Sequence, residues 1–332
     1  MLLYYDHYGR DARSGFCFFG AKWPREIDPD INNRKGAGLL WNLFTNIYGD
    51  HGYNPGAPES IFCLRGCFGP GTMVYGIADV KQDASGRYGT SVDFAVVLPQ
   101  NEQEKQLELN PSPLIQELRT RHQPGSTREY RGDTMPRCKI STSAPRNYVN
   151  LAAELGWSSK KLLLVSSHPE RDTLVYAMAM YSLLPVERRR NFSFLSYAVN
   201  WSTLYQMEGF DLIGVTESPD VMGNLSAMEQ MGEEISYICP DRGVTHFPRE
   251  GRDAGRGYLK RIYPLLLHDG QLDLPRDCGA WLHGSEFGLR CAGLSSTEQE
   301  ALGLMLRAAA SSKSRYYPLE QEKASISAAV FQ

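Results

Sequence analysis

The first third of the chain alternates short runs of aromatic and β-branched residues with Gly, Pro, Asn and Asp, a pattern typical of β-strands joined by turns. One stretch departs from it, because the apolar residues from Leu40 to Ile47 recur at helical spacing and predict a helix over Gly38 to Tyr48. A shorter helix is predicted from Leu114 to Arg121. The predicted strands are Leu2 to Tyr5, Gly15 to Ala21, Ser60 to Cys67, Thr72 to Lys81 and Thr90 to Leu98.

The second half of the chain alternates short apolar runs with helical periodicity, which predicts a mainly parallel sheet covered by helices. The predicted elements are strands at Leu162 to Val165, Asn191 to Tyr197 and Asp211 to Val215, and helices at Tyr148 to Leu155, Arg171 to Leu184, Gly257 to His268 and from Ser295 onward. The sequence therefore predicts an α/β protein. A β-rich α+β domain over residues 1–145 precedes an α/β domain over residues 146–332, which has a mainly parallel sheet and a helical C-terminal part.

Composition is that of an ordinary globular protein. The 332 residues are 42% hydrophobic and 22% charged, and the formal net charge of -3 favours neither nucleic acid nor an anionic membrane. No apolar run approaches the roughly 18 residues needed to span a bilayer. The segment Met1 to His7 lacks the basic and apolar regions of a secretion signal, which predicts a cytoplasmic protein. Seven cysteines, an odd number, fit reduced thiols.

The short signatures of common catalytic sites are missing from the sequence. It contains no Gly-x-x-x-x-Gly-Lys loop, no Gly-x-Gly-x-x-Gly after a strand, no His-Glu-x-x-His and no Gly-x-Ser-x-Gly. We therefore predict no cofactor and no metal site, and we assign no catalytic residue. The pair Cys63-x-x-x-Cys67 could supply two metal ligands, but packed thiols are the favoured interpretation, because Cys is among the most buried residue types.

Two enzymatic alternatives remain open. Asp79-x-Lys81 on one predicted strand and Asp93 on the next resemble the core of a metal-dependent nuclease, in which carboxylates hold Mg²⁺ and a Lys orients water. Charged positions on the solvated face of a hairpin are the favoured interpretation of these residues. The second alternative is a thiol hydrolase that pairs a Cys with a His distant in the sequence.

Two segments are locally basic, although the whole chain is slightly acidic. Residues 119–146 hold seven basic residues against two acidic ones, and a second cluster occupies residues 242–261. These patches indicate a nucleic-acid-binding subunit as an alternative function, while solvated loops with carboxylate partners elsewhere are favoured. The candidate contact residues are Arg119, Arg121, Arg128, Arg131, Arg137 and Lys139.

Several motifs over residues 1–215 resemble a bacterial family. They are Tyr75-Gly76-Ile77-Ala78-Asp79, the Asp-x-x-Gly-Arg-x-Gly hairpin that begins at Asp83, the apolar strand from Leu162, Leu183-Leu184-Pro185, and Asn191-Phe192-Ser193-Phe194 with Ser196-Tyr197. The chain resembles the N-terminal and middle domains of the bacterial GTPase-associated protein family of NTP-dependent conflict systems. It departs from the pattern at Thr90 and Asp93, where His or Asn is commoner in that family.

The resemblance implies a non-catalytic adaptor or sensor that works beside a GTPase or another NTPase in bacterial defence. The expected partner is an NTPase or effector encoded nearby. In the hairpin, Gly86 and Gly89 fit turn geometry, and Arg87 is expected to form an ion pair with a nearby Asp, so a structural role is favoured. A partner-binding surface at Asp83, Arg87 and Tyr88 is the functional alternative.

Overall fold

A computed structural model gives the fold of the chain. It describes residues 1–11, 15–20, 22–28, 34–49, 55–105, 107, 109, 111–120, 122–131, 139–141, 161–183, 191–246, 267–268 and 271–273. The strands are β1 (Leu2–Asp11), β2 (Gly15–Phe18), β3 (Ser60–Arg65), β4 (Met73–Gln82), β5 (Tyr88–Leu98), β6 (Thr127–Glu129), β7 (Lys139–Ser141), β8 (Leu162–Ser166), β9 (Phe194–Leu195), β10 (Leu212–Thr216), β11 (Tyr237–Cys239), β12 (Val244–His246), β13 (Leu267–His268) and β14 (Gln271–Asp273). The helices are α1 (Arg34–Tyr48), α2 (Glu102–Lys105), α3 (Pro111–Leu118), α4 (Pro169–Leu183), α5 (Trp201–Gln206) and α6 (Pro219–Gln230).

Eleven of the described strands form one mixed sheet. Its order is β12-β11-β8-β10-β9-β3-β4-β5-β1-β2, with β6 also paired to β1. A second sheet has the order β13-β14-β7. Helices accompany both the antiparallel and the parallel part of the main sheet, which confirms the predicted α/β class. No helix in the described ranges is both long and apolar enough to cross a membrane.

The antiparallel part of the sheet is formed by β1 to β5. Strands β4 and β5 make a long hairpin, whose register runs from Met73 opposite Val97 to Gln82 opposite Tyr88. β1 pairs with the other side of β5. Because strand side chains alternate between the two faces, β1 directs Tyr8 to one face and His7 to the other.

Helix α1 covers one face of this antiparallel part. Its Leu40, Leu43 and Phe44 are fully buried. The ring of Phe44 lies 5.3 Å from those of Phe62 on β3 and Phe94 on β5. Burial of one large apolar side chain contributes about 1.5–3 kcal/mol, so this aromatic layer fixes α1 on the sheet.

Helix α3 lies on the opposite face, against β4 and β5. Its Leu114 and Leu118 are buried, and its Glu117 accepts a hydrogen bond from the Tyr5 hydroxyl at 2.6 Å. Pro111 occupies the first helical position, where the missing N–H would have no helical partner in any case. Because α3 has only 8 residues, it covers part of this face and leaves polar side chains exposed beyond Leu118.

The parallel part of the sheet is formed by β8, β9, β10 and β11. β10 pairs with β8 and β9, and β11 pairs with β8. Every residue of β8 is buried, as expected for a strand covered on both faces. Helix α6 follows β10 and is capped by Ser218, whose hydroxyl accepts a hydrogen bond from the backbone N–H of Val221 at 3.1 Å.

Strand β9 joins the two parts of the sheet, because it pairs antiparallel with β3. Buried serines add hydrogen bonds to this junction between β3 and the segment that contains β9, which we call the seam. The Ser60 hydroxyl donates to the Tyr197 carbonyl at 2.6 Å and accepts from the Tyr197 N–H at 3.2 Å, and the Ser196 hydroxyl accepts from the Ile61 N–H at 2.8 Å. The segments before and after residue 145 therefore contribute to one sheet.

The predicted strands and helices that lie in described residues are confirmed, with shifted ends, for β1 to β5, β8, β10, α1, α3 and α4. The strand predicted over Asn191 to Tyr197 is too long, because only Phe194–Leu195 pairs as a strand and serine side chains make the flanking hydrogen bonds. The helix predicted to end at His268 is wrong at that end, because Leu267–His268 is β13. Asp269-Gly270 follows it, a dipeptide that favours chain reversal over helix continuation. The helices predicted at 148–155 and from 295 lie outside the described residues.

Candidate functional site

A polar pocket with a volume of about 350 Å³ lies on the sheet face that α3 leaves uncovered. Strands β1, β4 and β5 form its floor, and residues at and after the end of α3 form one wall. Period-two alternation places Asp79, Lys81 and Asp93 on this face, and the β1–β5 register sets His7 directly opposite Asp93. All four side chains line the pocket.

The carboxylate of Asp93 is bound from two sides. Its Oδ1 lies 2.7 Å from Nδ1 of His7, and its Oδ2 accepts a hydrogen bond from Nζ of Lys81 at 3.4 Å. The contact with His7 is the largest of those that lower the pKa of Asp93 below its usual value, and burial opposes it. Asp93 is thus ionised at neutral pH, and it fixes the orientation of the His7 ring.

The wall of the pocket beyond α3 contains an ion pair and a ring stack. Nη2 of Arg119 lies 2.8 Å from a carboxylate oxygen of Glu59. The ring of His122 stacks on Tyr5 with 4.0 Å between centroids. Asp79 accepts a hydrogen bond from the backbone N–H of the next residue at 2.7 Å. The pocket thus presents carboxylate, ammonium, guanidinium and imidazole groups to a small polar ligand.

The nuclease alternative rests on three residues that all line this pocket, Asp79, Lys81 and Asp93. They therefore lie close together, as their positions on two adjacent strands predicted. Lys81 is nevertheless bound to Asp93. Within the part of the chain that the structure describes, no three His, Cys, Asp or Glu side chains are placed to hold a metal ion. The geometry fits an ion-pair network better than a divalent-cation site.

The turn between β4 and β5 is built around the carboxylate of Asp83. Its Oδ1 accepts hydrogen bonds from N and Oγ of Ser85, at 2.8 and 2.5 Å, and from N of Arg87 at 3.0 Å. Its Oδ2 lies 3.1 Å from Nη2 of Arg87. These contacts, the Ser85 hydroxyl first, hold the pKa of Asp83 well below its usual range. Gly86 has a φ of 82°, in the left-handed region that favours glycine.

Two large side chains are exposed at the end of this turn, Arg87 in the turn itself and Tyr88 at the first position of β5. The Asp83 side chain is 2% exposed and that of Arg87 is 47% exposed, while Tyr88 is 38% exposed. The Arg87–Asp83 pair accords with the structural role predicted for Arg87. Gly89 lies in β5 rather than in the turn, and a Cβ there would stand 2.9 Å from the ring of Phe16.

Carboxylates engage two arginines of the first basic segment. Arg119 pairs with Glu59, and Nη2 of Arg128 pairs with Glu117 on α3. Arg131 is exposed. Arg121, Arg137 and the side chain of Lys139 lie outside what the structure describes.

Of the second basic cluster, Arg242 falls in described residues. Its Nε lies 2.5 Å from a carboxylate oxygen of Glu217. Residues 247–261 lie outside the described ranges. The charge that the described basic residues offer to phosphate is therefore smaller than their number in the sequence suggests.

Sequence reasoning missed His7, although it is a central residue of the pocket. Its partner Asp93 is 86 positions away, so the contact follows from the β1–β5 register rather than from any local motif. The available signal was alternation within β1, where His7 is a polar residue on the same face as Tyr5.

Comparison with known proteins assigns no family. No family model matches the chain, and no characterised protein is significantly similar to it in sequence. The resemblance to GTPase-associated proteins therefore stays a prediction, and the function must be argued from the geometry of the hairpin and the pocket.

Proposed function

We propose that the chain is a cytoplasmic adaptor or sensor subunit that binds a protein partner, an NTPase or effector of a bacterial defence system. The observation that carries this proposal is the fixed turn between β4 and β5, which holds Arg87 and Tyr88 in exposed positions. The resemblance of the same hairpin to GTPase-associated proteins supports the kind of partner.

A fixed, exposed turn favours binding for a physical reason. Little conformational entropy is lost on association when the contacting segment is already ordered. Arg and Tyr are also among the side chains that carry most of the binding energy at protein interfaces. Arg87 is half exposed even in its pair with Asp83, so its remaining N–H groups can donate to a carboxylate of the partner.

The experiment is affinity purification of the tagged chain, expressed together with its neighbouring genes, through a high-salt wash. The variants are Arg87→Ala and Tyr88→Ala. The turn should persist in Arg87→Ala, because two backbone hydrogen bonds, Asp83 N–H to Arg87 O at 2.9 Å and Gly86 N–H to Asp83 O at 3.0 Å, do not use the Arg87 side chain. The matched control is Arg171→Ala, which removes another exposed, ion-paired arginine.

We expect the wild-type chain and Arg171→Ala to retain an NTPase or effector in stoichiometric amount, and both hairpin variants to lose at least about tenfold in retention. Equal retention by all four proteins would contradict a hairpin interface. A lone chain after the wash would contradict the adaptor proposal itself. Nucleic acid that is retained at low salt and lost at high salt would instead favour the basic segments.

A further inference from the structure

Among the described residues, one carboxylate of the polar pocket has no cationic partner. In the wall, Glu59 is paired with Arg119. On the floor, Asp93 is paired with Lys81. Asp79, also on the floor, accepts one hydrogen bond from the backbone N–H of the next residue at 2.7 Å and forms no ion pair in the described part of the chain. Three carboxylates of this floor and wall therefore face two permanent cations, which leaves one negative charge uncompensated.

The remaining acidic residue that lines the pocket, Asp6, has its carboxylate bound elsewhere. Asp6 is only 4% exposed, and its side chain lies on the face of β1 that carries Tyr8. Its Oδ1 accepts hydrogen bonds from the backbone N–H groups of His7 and Gly20, at 2.7 and 2.6 Å. Asp79 is therefore the carboxylate that is available to a bound cation.

An ammonium group fits Asp79 better than a metal ion does. Divalent ions take several oxygen ligands, and no three His, Cys, Asp or Glu side chains of the described residues are placed to hold one. An ammonium group instead brings three N–H donors to a single carboxylate. Ser91 stands directly opposite Asp79 in the β4–β5 register, and its buried hydroxyl has no hydrogen-bond partner in the described part of the chain. This part of the floor thus has hydrogen-bonding capacity that the described residues do not use.

The two cations of the pocket can receive a negative group of the same ligand. Lys81 and Arg119 are each ion-paired, yet both side chains are 52% exposed. A guanidinium has five N–H donors and an ammonium three, more than one ion pair uses. Residues two apart on a strand are about 7 Å apart, so one small molecule can span Asp79 and Lys81. Because the two cations would repel a ligand with positive charge alone, a ligand that carries both charges is the better match.

The size and the apolar lining of the pocket fit a small organic molecule. At about 350 Å³ the pocket lies near the lower end of the range for ligand sites. Ile77 on the floor and Leu118 at the end of α3 line it, as do the stacked rings of Tyr5 and His122. These groups offer contact to the carbon atoms of a ligand whose charged groups are bound by the ionic side chains.

We propose that this pocket binds a free amino acid in its zwitterionic form. Asp79 accepts hydrogen bonds from the ammonium group, Lys81 and Arg119 donate to the carboxylate, and the apolar lining contacts the side chain. The exposed pair Arg87 and Tyr88 is not part of the pocket lining. A failure of this proposal and a failure of the proposed partner interface are therefore distinguishable.

The test is isothermal titration of the full chain with each common amino acid, one at a time, up to about 10 mM. For each amino acid that binds, two derivatives are titrated: the N-acetyl form, which lacks the ammonium group, and the carboxamide, which lacks the carboxylate. Putrescine is the probe for positive charge alone. The variant is Asp79→Asn, whose side-chain oxygen can still accept the backbone N–H that Oδ1 of Asp79 binds. The matched control is Asp220→Asn, which removes an exposed carboxylate of α6.

We expect at least one amino acid to bind the wild-type chain and Asp220→Asn with dissociation constants within about twofold of each other. Asp79→Asn, and separately each derivative, should raise the dissociation constant at least about tenfold, because a hydrogen bond between charged groups is lost. Four results would each overturn the proposal: no binding of any amino acid, derivatives that bind as tightly as the amino acid, equal binding to Asp79→Asn with unchanged circular dichroism, and putrescine that binds more tightly than every amino acid.

Discussion

Replacement of Ser60 by Ala tests the seam that joins the antiparallel and parallel parts of the sheet. Ser60 is fully buried, and its hydroxyl bonds both the carbonyl and the N–H of Tyr197. The variant leaves both backbone groups buried without these partners. Each unsatisfied group costs about 1–3 kcal/mol, so we expect the free energy of unfolding to fall by about 2–4 kcal/mol.

The assay is urea unfolding followed by tryptophan fluorescence and circular dichroism. Ser236→Ala is the matched control, because Ser236 is also fully buried but its hydroxyl has no hydrogen-bond partner in the described part of the chain. The control should change the free energy of unfolding by less than about 1 kcal/mol. Equal losses in the two variants would show that burial of a serine alone, and not its hydrogen bonds to Tyr197, explains the cost.

Four further predictions concern the core, the pocket and the β9–β10 pair. Phe44→Ala should cost about 3–5 kcal/mol in urea unfolding, because it removes a fully buried ring of the aromatic layer; a loss below about 1 kcal/mol would contradict that packing. His7→Gln should raise the pKa of Asp93 towards its ordinary value in an NMR titration; an unchanged pKa would disprove the assigned contact. Because the pKa of Asp93 is lower in the folded state than in the unfolded state, the ionised carboxylate stabilises the fold. This stabilisation should be fully present above the unfolded-state pKa of about 3.9 and should be lost as the pH falls through the folded-state pKa. A pH titration followed by circular dichroism measures this loss of stability. Gly214→Ala should lower the thermal midpoint, since its Cβ would stand 2.0 Å from the Ser196 carbonyl oxygen, and a midpoint equal to wild type would count against the β9–β10 geometry.

Local sequence patterns were sufficient to predict much of the fold. The β4–β5 hairpin follows from alternation and from the Asp-Ala-Ser-Gly turn, and α1 follows from its apolar stripe. Helix α6 was missed, because Leu225 is its one buried residue in the described structure and its apolar periodicity is weak. The Ser218-Pro219 start was the available signal.

Only the part of the candidate site that comes from one hairpin could be predicted from the sequence. Alternation places Asp79 and Asp93 on one face, so their convergence follows from the sequence. The His7 contact depends on how β1 pairs with β5, and strand pairing over such a separation is set by the whole core rather than by neighbouring residues. The pairing of β9 with both β3 and β10 also joins segments far apart in the sequence, so local patterns did not predict it.

The turn at Arg87, with the adjacent Tyr88, is the surface that we propose binds a protein partner. Its most direct test is isothermal titration of the co-purified NTPase or effector with the wild-type chain, with the double variant Arg87→Ala, Tyr88→Ala, and with Arg171→Ala. We predict that the double variant raises the dissociation constant by at least about 100-fold, while Arg171→Ala keeps it within about twofold of the wild-type value. A double variant that binds as tightly as the wild-type chain, with its hairpin still folded, would show that this turn is not the partner-binding surface.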